Sequence, residues 1–188
     1  LLEPEKSKRI LDKFTRGITA LAEGMCRAPI DAVKISSPFA GQGFISTEAY
    51  REFVLPFETR IIDAIKAAGK KVYIHTCGSI GDRLELMRES GASGLECLDP
   101  APVGNVDIED AFNRIGESMF IKGNIDSINT LLFGSDEKIR NDIRHILETG
   151  MTKGRGFILS TACSIAPKVP KENILKLSEL VEEFGYYE

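Results

Sequence analysis

Cysteine is scarce in this sequence: Cys26, Cys77, Cys97 and Cys163 are the only four among 188 residues. Thiols so few and so far apart make no disulfide framework, and reduced cysteines are the starting expectation. No apolar run reaches the roughly 18 to 20 residues of a membrane span. The opening LLEPEKSKRI has neither the apolar stretch nor the small-residue cleavage site of a signal peptide. These absences predict a cytoplasmic protein without a membrane partner. An excess of basic residues is missing too: the net charge is -4, with both signs mixed along the chain. A nucleic-acid surface would gather Lys and Arg into a patch or stripe, so a small molecule is the expected partner. Low-complexity tracts and fixed-period repeats are also absent.

What is present has the balance of one globular domain, with 43% hydrophobic and 28% charged residues. Five short β-rich runs, at 31–36, 71–76, 93–98, 119–123 and 156–161, alternate with amphipathic segments at 4–23, 47–68, 82–89, 107–115, 136–149 and 171–184. Such alternation predicts a parallel sheet covered by helices. The punctuation agrees. Asp82 with Glu85 fits a capping box, Ser135 precedes the acidic pair Asp136 and Glu137, and Gly69, Gly91, Gly116, Gly150 and Gly185 stand where helices should stop. No internal boundary is visible, so residues 1–188 read as a single domain. An open doubly wound sheet and part of a (β/α)8 barrel both satisfy the pattern, and periodicity does not choose between them.

In the run 71–76 (KVYIHT) side chains alternate faces. If the extended conformation continues for one more residue, His75 and Cys77 point the same way at the carboxyl end of a strand, with Gly78 permitting a turn. Cys163 lies just past the run 156–161, at another strand end. One imidazole and two thiolates suit zinc, and three protein ligands leave a fourth position open, as in catalytic rather than structural sites. The His-x-Cys pair alone is weak evidence, since core histidines and buried cysteines are common. Glu96 is a charge inside the apolar run SGLECL, 21 residues beyond His75. A buried carboxylate needs a partner, which makes Glu96 a candidate for a displaceable fourth ligand; the alternative is a solvated strand end. Cys26 and Cys97 read as packing residues, with Cys97 on the strand face opposite Glu96. His145, within EKIRNDIRHILETG, reads as a surface histidine favoured by the helix dipole.

Taken in order, VYIHTCGSIGDRLELMRESGASGLECLDP, VDIEDAFNRIGESMFIKGNID and ILSTACSIAPKVPKENI resemble the uroporphyrinogen decarboxylase superfamily, and within it the zinc- and corrinoid-dependent methyltransferase branch. The resemblance implies a (β/α)8 TIM barrel of which this chain is the C-terminal part, about five βα units, without the first barrel strands. It implies His75, Cys77 and Cys163 as zinc ligands. Cobalamin-independent methionine synthases are similar here and place a glutamate on zinc, which implies the same ligand and catalytic role for Glu96. The segment GNID implies substrate contacts at Asn124 and Asp126, against the simpler reading of an Asx turn. The implied reaction moves a methyl group from a corrinoid, methylcobalamin held by a partner protein, to a thiol such as coenzyme M. True decarboxylases of the superfamily carry histidine at the position of Cys163 and rely on arginine and aspartate residues with no counterpart here. A tetrapyrrole decarboxylase and a non-catalytic zinc-binding fragment are the alternatives. Five strands leave two unpaired barrel edges, to be covered by the missing strands or by a second copy in a homodimer.

Overall fold

Strand and helix alternate as the hydrophobic pattern dictates in the computed structural model, which describes residues 2–154 and 156–186. The strands are β1 (Ala32–Ser36), β2 (Lys71–Thr76), β3 (Gly94–Cys97), β4 (Phe120–Ile125) and β5 (Phe157–Thr161). They pair in chain order, all parallel. The helices are α1 (Pro4–Met25), α2 (Thr47–Phe53), α3 (Leu55–Ala67), α4 (Leu84–Glu89), α5 (Ile108–Ile115), α6 (Asp136–Lys153) and α7 (Lys171–Phe184). Unbroken chain order is how a barrel wall is laid down, whereas a doubly wound sheet reverses direction at a switch point.

The apolar positions of each strand decide which face is covered. Val33, Val72, Ile74, Leu95 and Ile121 are buried in one core cluster with Ile61, Ile62 and Ile65 of α3 and Phe112 and Ile115 of α5. A second cluster joins Ile125 to Ile139, Ile143 and Leu147 of α6 and Leu180 of α7. Between these apolar positions stand charged ones at matching levels: His75 is in register with Glu96, and Glu96 with Lys122. No helix among the described residues is long and apolar enough to cross a membrane.

Several boundaries differ from those the sequence predicts. The segment 47–68 breaks into α2 and α3 because Pro56 falls in the first turn of α3, where its missing N–H costs nothing, whereas inside a longer helix it would break the ladder. Asp82 does not cap α4, which begins at Leu84. Its carboxylate instead accepts hydrogen bonds from Arg83 Nε (2.8 Å) and Thr47 Oγ1 (2.7 Å). Gly150 does not end α6. A Cβ there would lie 2.4 Å from the Phe157 ring, so the glycine makes room for β5 within a helix that runs on to Lys153. β4 continues to Ile125, and a π-helical turn at Ser127–Leu132 follows it.

The outermost strands β1 and β5 each have one neighbour in the sheet. Beside β1, helix α1 exposes Ile10, Phe14, Ile18, Leu21 and Met25, and with α3 these line an apolar groove of about 790 Å³. Below that groove Glu58 is buried, accepting hydrogen bonds from Ser37 Oγ (2.5 Å) and Tyr50 Oη (2.7 Å). Burial pushes the Glu58 carboxyl above the usual carboxylate range despite those two donors. The folded state therefore binds the proton more tightly than the unfolded chain does. Stability is greatest below the unfolded pKa and declines as pH rises through the folded one. Glu58→Gln is expected to flatten that decline, leaving the melting temperature at pH 4 little changed and raising it at pH 8. Thermal unfolding across this range checks it, and parallel wild-type and variant curves would refute it.

Candidate metal centre

Alternation along β2 turns Ile74 and Thr76 into the buried layer and His75 the other way. Cys77 follows the strand, and Gly78, at a φ of 75°, lets the chain turn off at once. From β5, Cys163 arrives two residues past Thr161. The sequence-predicted ligands do meet: His75 Nε2 is 3.2 Å from Cys77 Sγ, and Cys77 Sγ is 3.6 Å from Cys163 Sγ. Zinc bonds of about 2.0–2.3 Å place tetrahedral nitrogen and sulfur ligands roughly 3.5–3.8 Å apart, so the sulfur pair matches one ion and the imidazole lies a few tenths of an ångström closer to Cys77 than an ion would hold it.

A fourth donor joins them that the sequence reading assigned to packing. One ligand atom from each of His75, Cys77, Cys97 and Cys163 lies within 4.8 Å of all the others. Strand alternation would point Cys97 away from Glu96. The backbone breaks that alternation, with φ at 92° for Cys97 and 56° for Leu98, a left-handed conformation that residues bearing a Cβ seldom adopt. The buried Cys97 thiol donates to Asp99 Oδ2 at 3.2 Å, and the same oxygen accepts the Gly78 N–H at 2.7 Å. The motif GNID supports this kink. Gly123 is in register with Cys97, and a Cβ on it would lie 2.7 Å from the Cys97 carbonyl oxygen. Asn124 Nδ2 donates to the Leu98 carbonyl at 3.1 Å. The glycine opposite a cysteine, at the end of adjacent strands, was the signal for it in the sequence.

Glu96 is buried as its apolar context predicts, but it stands behind the histidine and outside the group of four. Its Oε2 is 2.9 Å from His75 Nδ1 and 3.3 Å from Lys34 Nζ, and Oε1 is held by Lys122. Both oxygens are engaged by these partners, which sets Glu96 apart from the four clustered donors. With Nδ1 donating to the carboxylate, Nε2 keeps its lone pair towards Cys77, the arrangement in which a carboxylate orients a metal-binding imidazole. Burial works against ionisation of Glu96. The hydrogen bond and charge of Lys122, with the charge of Lys34, outweigh it and hold the carboxyl below its ordinary range.

The thiols respond oppositely. Burial, followed by the contact with Cys163 and the charge of Asp99, pushes Cys77 up to about 11. Burial and the Asp99 carboxylate push Cys97 far above the usual thiol range. Both hold their protons until a cation replaces them.

Asn124 and Asp126 line a recess of about 590 Å³ together with Pro100, Pro102, Lys138 and the exposed His145. Asp126 caps the π-helical turn, its Oδ1 accepting the N–H groups of Ile128 and Asn129, each at 2.8 Å. That is the Asx geometry the simpler reading anticipated. Cys26 is buried in the larger core cluster and takes no part in the centre.

Soft donors gathered at the carboxyl ends of parallel strands define a metal-capable α/β barrel wall, the edge at which such folds place their chemistry. A solved methyltransferase from Methanosarcina mazei has the same fold, with a TM-score of 0.81 at 26% identity over 95% of this chain and 50% of that one. The chain belongs to the uroporphyrinogen decarboxylase (URO-D) family, whose model matches residues 1–184. Relatives of two kinds are similar to it. The methylcobamide:CoM methyltransferase MtbA of Methanosarcina acetivorans is 28% identical over 177 residues, 94% of this chain and 49% of that protein. The uroporphyrinogen decarboxylase of Prochlorococcus marinus is 32% identical over 186 residues, 98% of this chain and 50% of that protein. The chain spans about half the length of the curated relatives it matches.

Proposed function

We propose that this chain carries the zinc site of a cytoplasmic methyltransferase that moves a methyl group from a corrinoid protein to a thiol such as coenzyme M. The observation that carries the reading is the meeting of His75 Nε2 with the thiols of Cys77 and Cys163. One borderline and two soft donors gathered within 4.8 Å of one another fit zinc. Relatives named as methylcobamide:CoM methyltransferases support the choice of reaction. In this reading residues 1–188 are one domain forming part of the barrel, and further barrel strands or a second copy cover the free edges of β1 and β5.

When bound, zinc supplies the Lewis acidity that keeps a substrate thiol deprotonated at neutral pH. The residues of the chain set the electrostatics around it. Cys77 and Cys163, as thiolates, cancel the charge of a divalent cation. Lys34 and Lys122 balance the carboxylates of Glu96 and Asp99. Glu96 fixes the ring of His75. Asn124 and Asp126 act as supports, one bracing Leu98 and the other capping the turn after β4. A corrinoid protein would approach over the carboxyl ends of the strands, where the thiols stand.

The test is to measure zinc per chain and then follow methylcobalamin demethylation as thiols are added. About one zinc per chain and thiol-dependent demethylation are expected. Zinc binding without thiol-dependent demethylation would establish a structural clamp instead, and turnover of uroporphyrinogen by zinc-free protein would establish a decarboxylase.

A further inference from the structure

We propose that Cys97 is a fourth, displaceable ligand of the metal centre, occupying the position that a thiol substrate takes over. The inference rests on the zinc reading above and adds to it the identity of the group that fills the open position at rest.

Two features of the chain place the Cys97 thiol there, and the second has its own supports. Its sulfur belongs to the group of four ligand atoms that lie within 4.8 Å of one another, with His75, Cys77 and Cys163. Regular strand geometry would aim it into the layer under α4 and α5; two consecutive left-handed residues, Cys97 and Leu98, turn it back instead. Such conformations persist only where the surroundings over-determine them. Here the surroundings are specific: Gly123 leaves the space that the Cys97 carbonyl occupies, and Asn124 holds the Leu98 carbonyl. A cysteine that served only to fill the core would need none of this.

Displaceability follows from Asp99. The carboxylate sits 3.2 Å from Cys97 Sγ and is itself anchored by the Gly78 N–H. It offers the thiol a hydrogen-bond acceptor whenever that thiol is off the metal, while Cys77 and Cys163 have each other and His75 for neighbours. On exchange Cys97 would take the proton of the incoming thiol, and Asp99 is placed to accept the resulting S–H. One thiolate replaces another, so neither the charge nor the number of sulfurs at the centre changes. Unlike Glu96, whose oxygens are bound to Lys34, Lys122 and His75, Cys97 has the Asp99 carboxylate to return to.

X-ray absorption on the zinc-loaded full chain, with the charge-transfer spectrum of the Co²⁺-substituted protein, tests this directly. Three sulfurs and one nitrogen are expected in the wild type, and two sulfurs in Cys97→Ala. Addition of 2-mercaptoethanol is expected to leave the wild-type sulfur number unchanged and to restore the third sulfur in the variant. Two sulfurs in the metal-loaded wild type, or an unchanged number in Cys97→Ala, would overturn the role of Cys97 and leave the zinc site standing. A folded wild type that binds no zinc would overturn both. If Cys97→Ala does not fold, the wild-type sulfur number decides the question without it.

Discussion

Cys163→Ala is expected to weaken zinc binding by more than about 100-fold, because it removes a ligand itself, and removing mere outer partners of ligands already costs about 10–100-fold. The remaining donors come from neighbouring strands, His75 and Cys77 from β2 and Cys97 from β3. They are left without the sulfur that faces them across the sheet. Competition against a chromophoric chelator measures the loss. Cys26→Ala, which removes a thiol buried in the core away from the group, is the control and is expected to keep wild-type affinity in the folded protein. Equal affinity in the wild type and Cys163→Ala would sink the shared site.

Replacing Arg83 with methionine is expected to destabilise the fold by about 2–5 kcal/mol. Arg83 is fully buried, with its guanidinium donating to the carbonyls of Ala40 (2.7 Å) and Ile45 (3.0 Å), pairing with Asp82 and lying 5.5 Å over the Tyr50 ring. Methionine keeps most of the stem and leaves two acceptors without donors, each costing about 1–3 kcal/mol where water does not reach. Arg83→Lys is expected to recover only part of the loss, since a single ammonium cannot reproduce the planar fork. Urea unfolding reads the difference, and a change below about 1 kcal/mol would refute the account. The damage extends to the metal centre. The loop that Arg83 holds supplies the Gln42 N–H to the Ser79 carbonyl at 2.8 Å, and its Gly41 passes so close that a Cβ would meet the Cys77 carbonyl at 2.7 Å.

What the sequence revealed and what it concealed divide along a physical line. Strands and helices were legible because burial imposes periods of two and 3.6 on the apolar residues. His75, Cys77 and Cys163 were legible because each lies at the carboxyl end of such a run. The burial of Glu96 was readable from its apolar neighbours, but its direction was not, since the lysines that claim it lie on β1 and β4, 62 and 26 residues away. Cys97 was misread for a local reason. Alternation is a rule for extended backbone, and the strand ceases to be extended at that residue. Gly150 misled because a glycine within a helix looks like a stop until the ring of Phe157, packed over it, is known. Pro56 was visible throughout and should have divided the segment 47–68.

Cys77 and Cys163 follow β2 and β5, three strand spacings apart in the sheet. Laid flat, that separation is about 14 Å, whereas the two sulfurs are 3.6 Å apart. The sheet is bent into a bowl, and the thiols touch across its mouth. An ion shared between them would close a loop of 86 residues. A covalent link over such a length stabilises by about 4–5 kcal/mol through chain entropy, which bounds what a coordinate one can contribute. Any change that flattened the bowl would part the two sulfurs and so loosen an ion held between them.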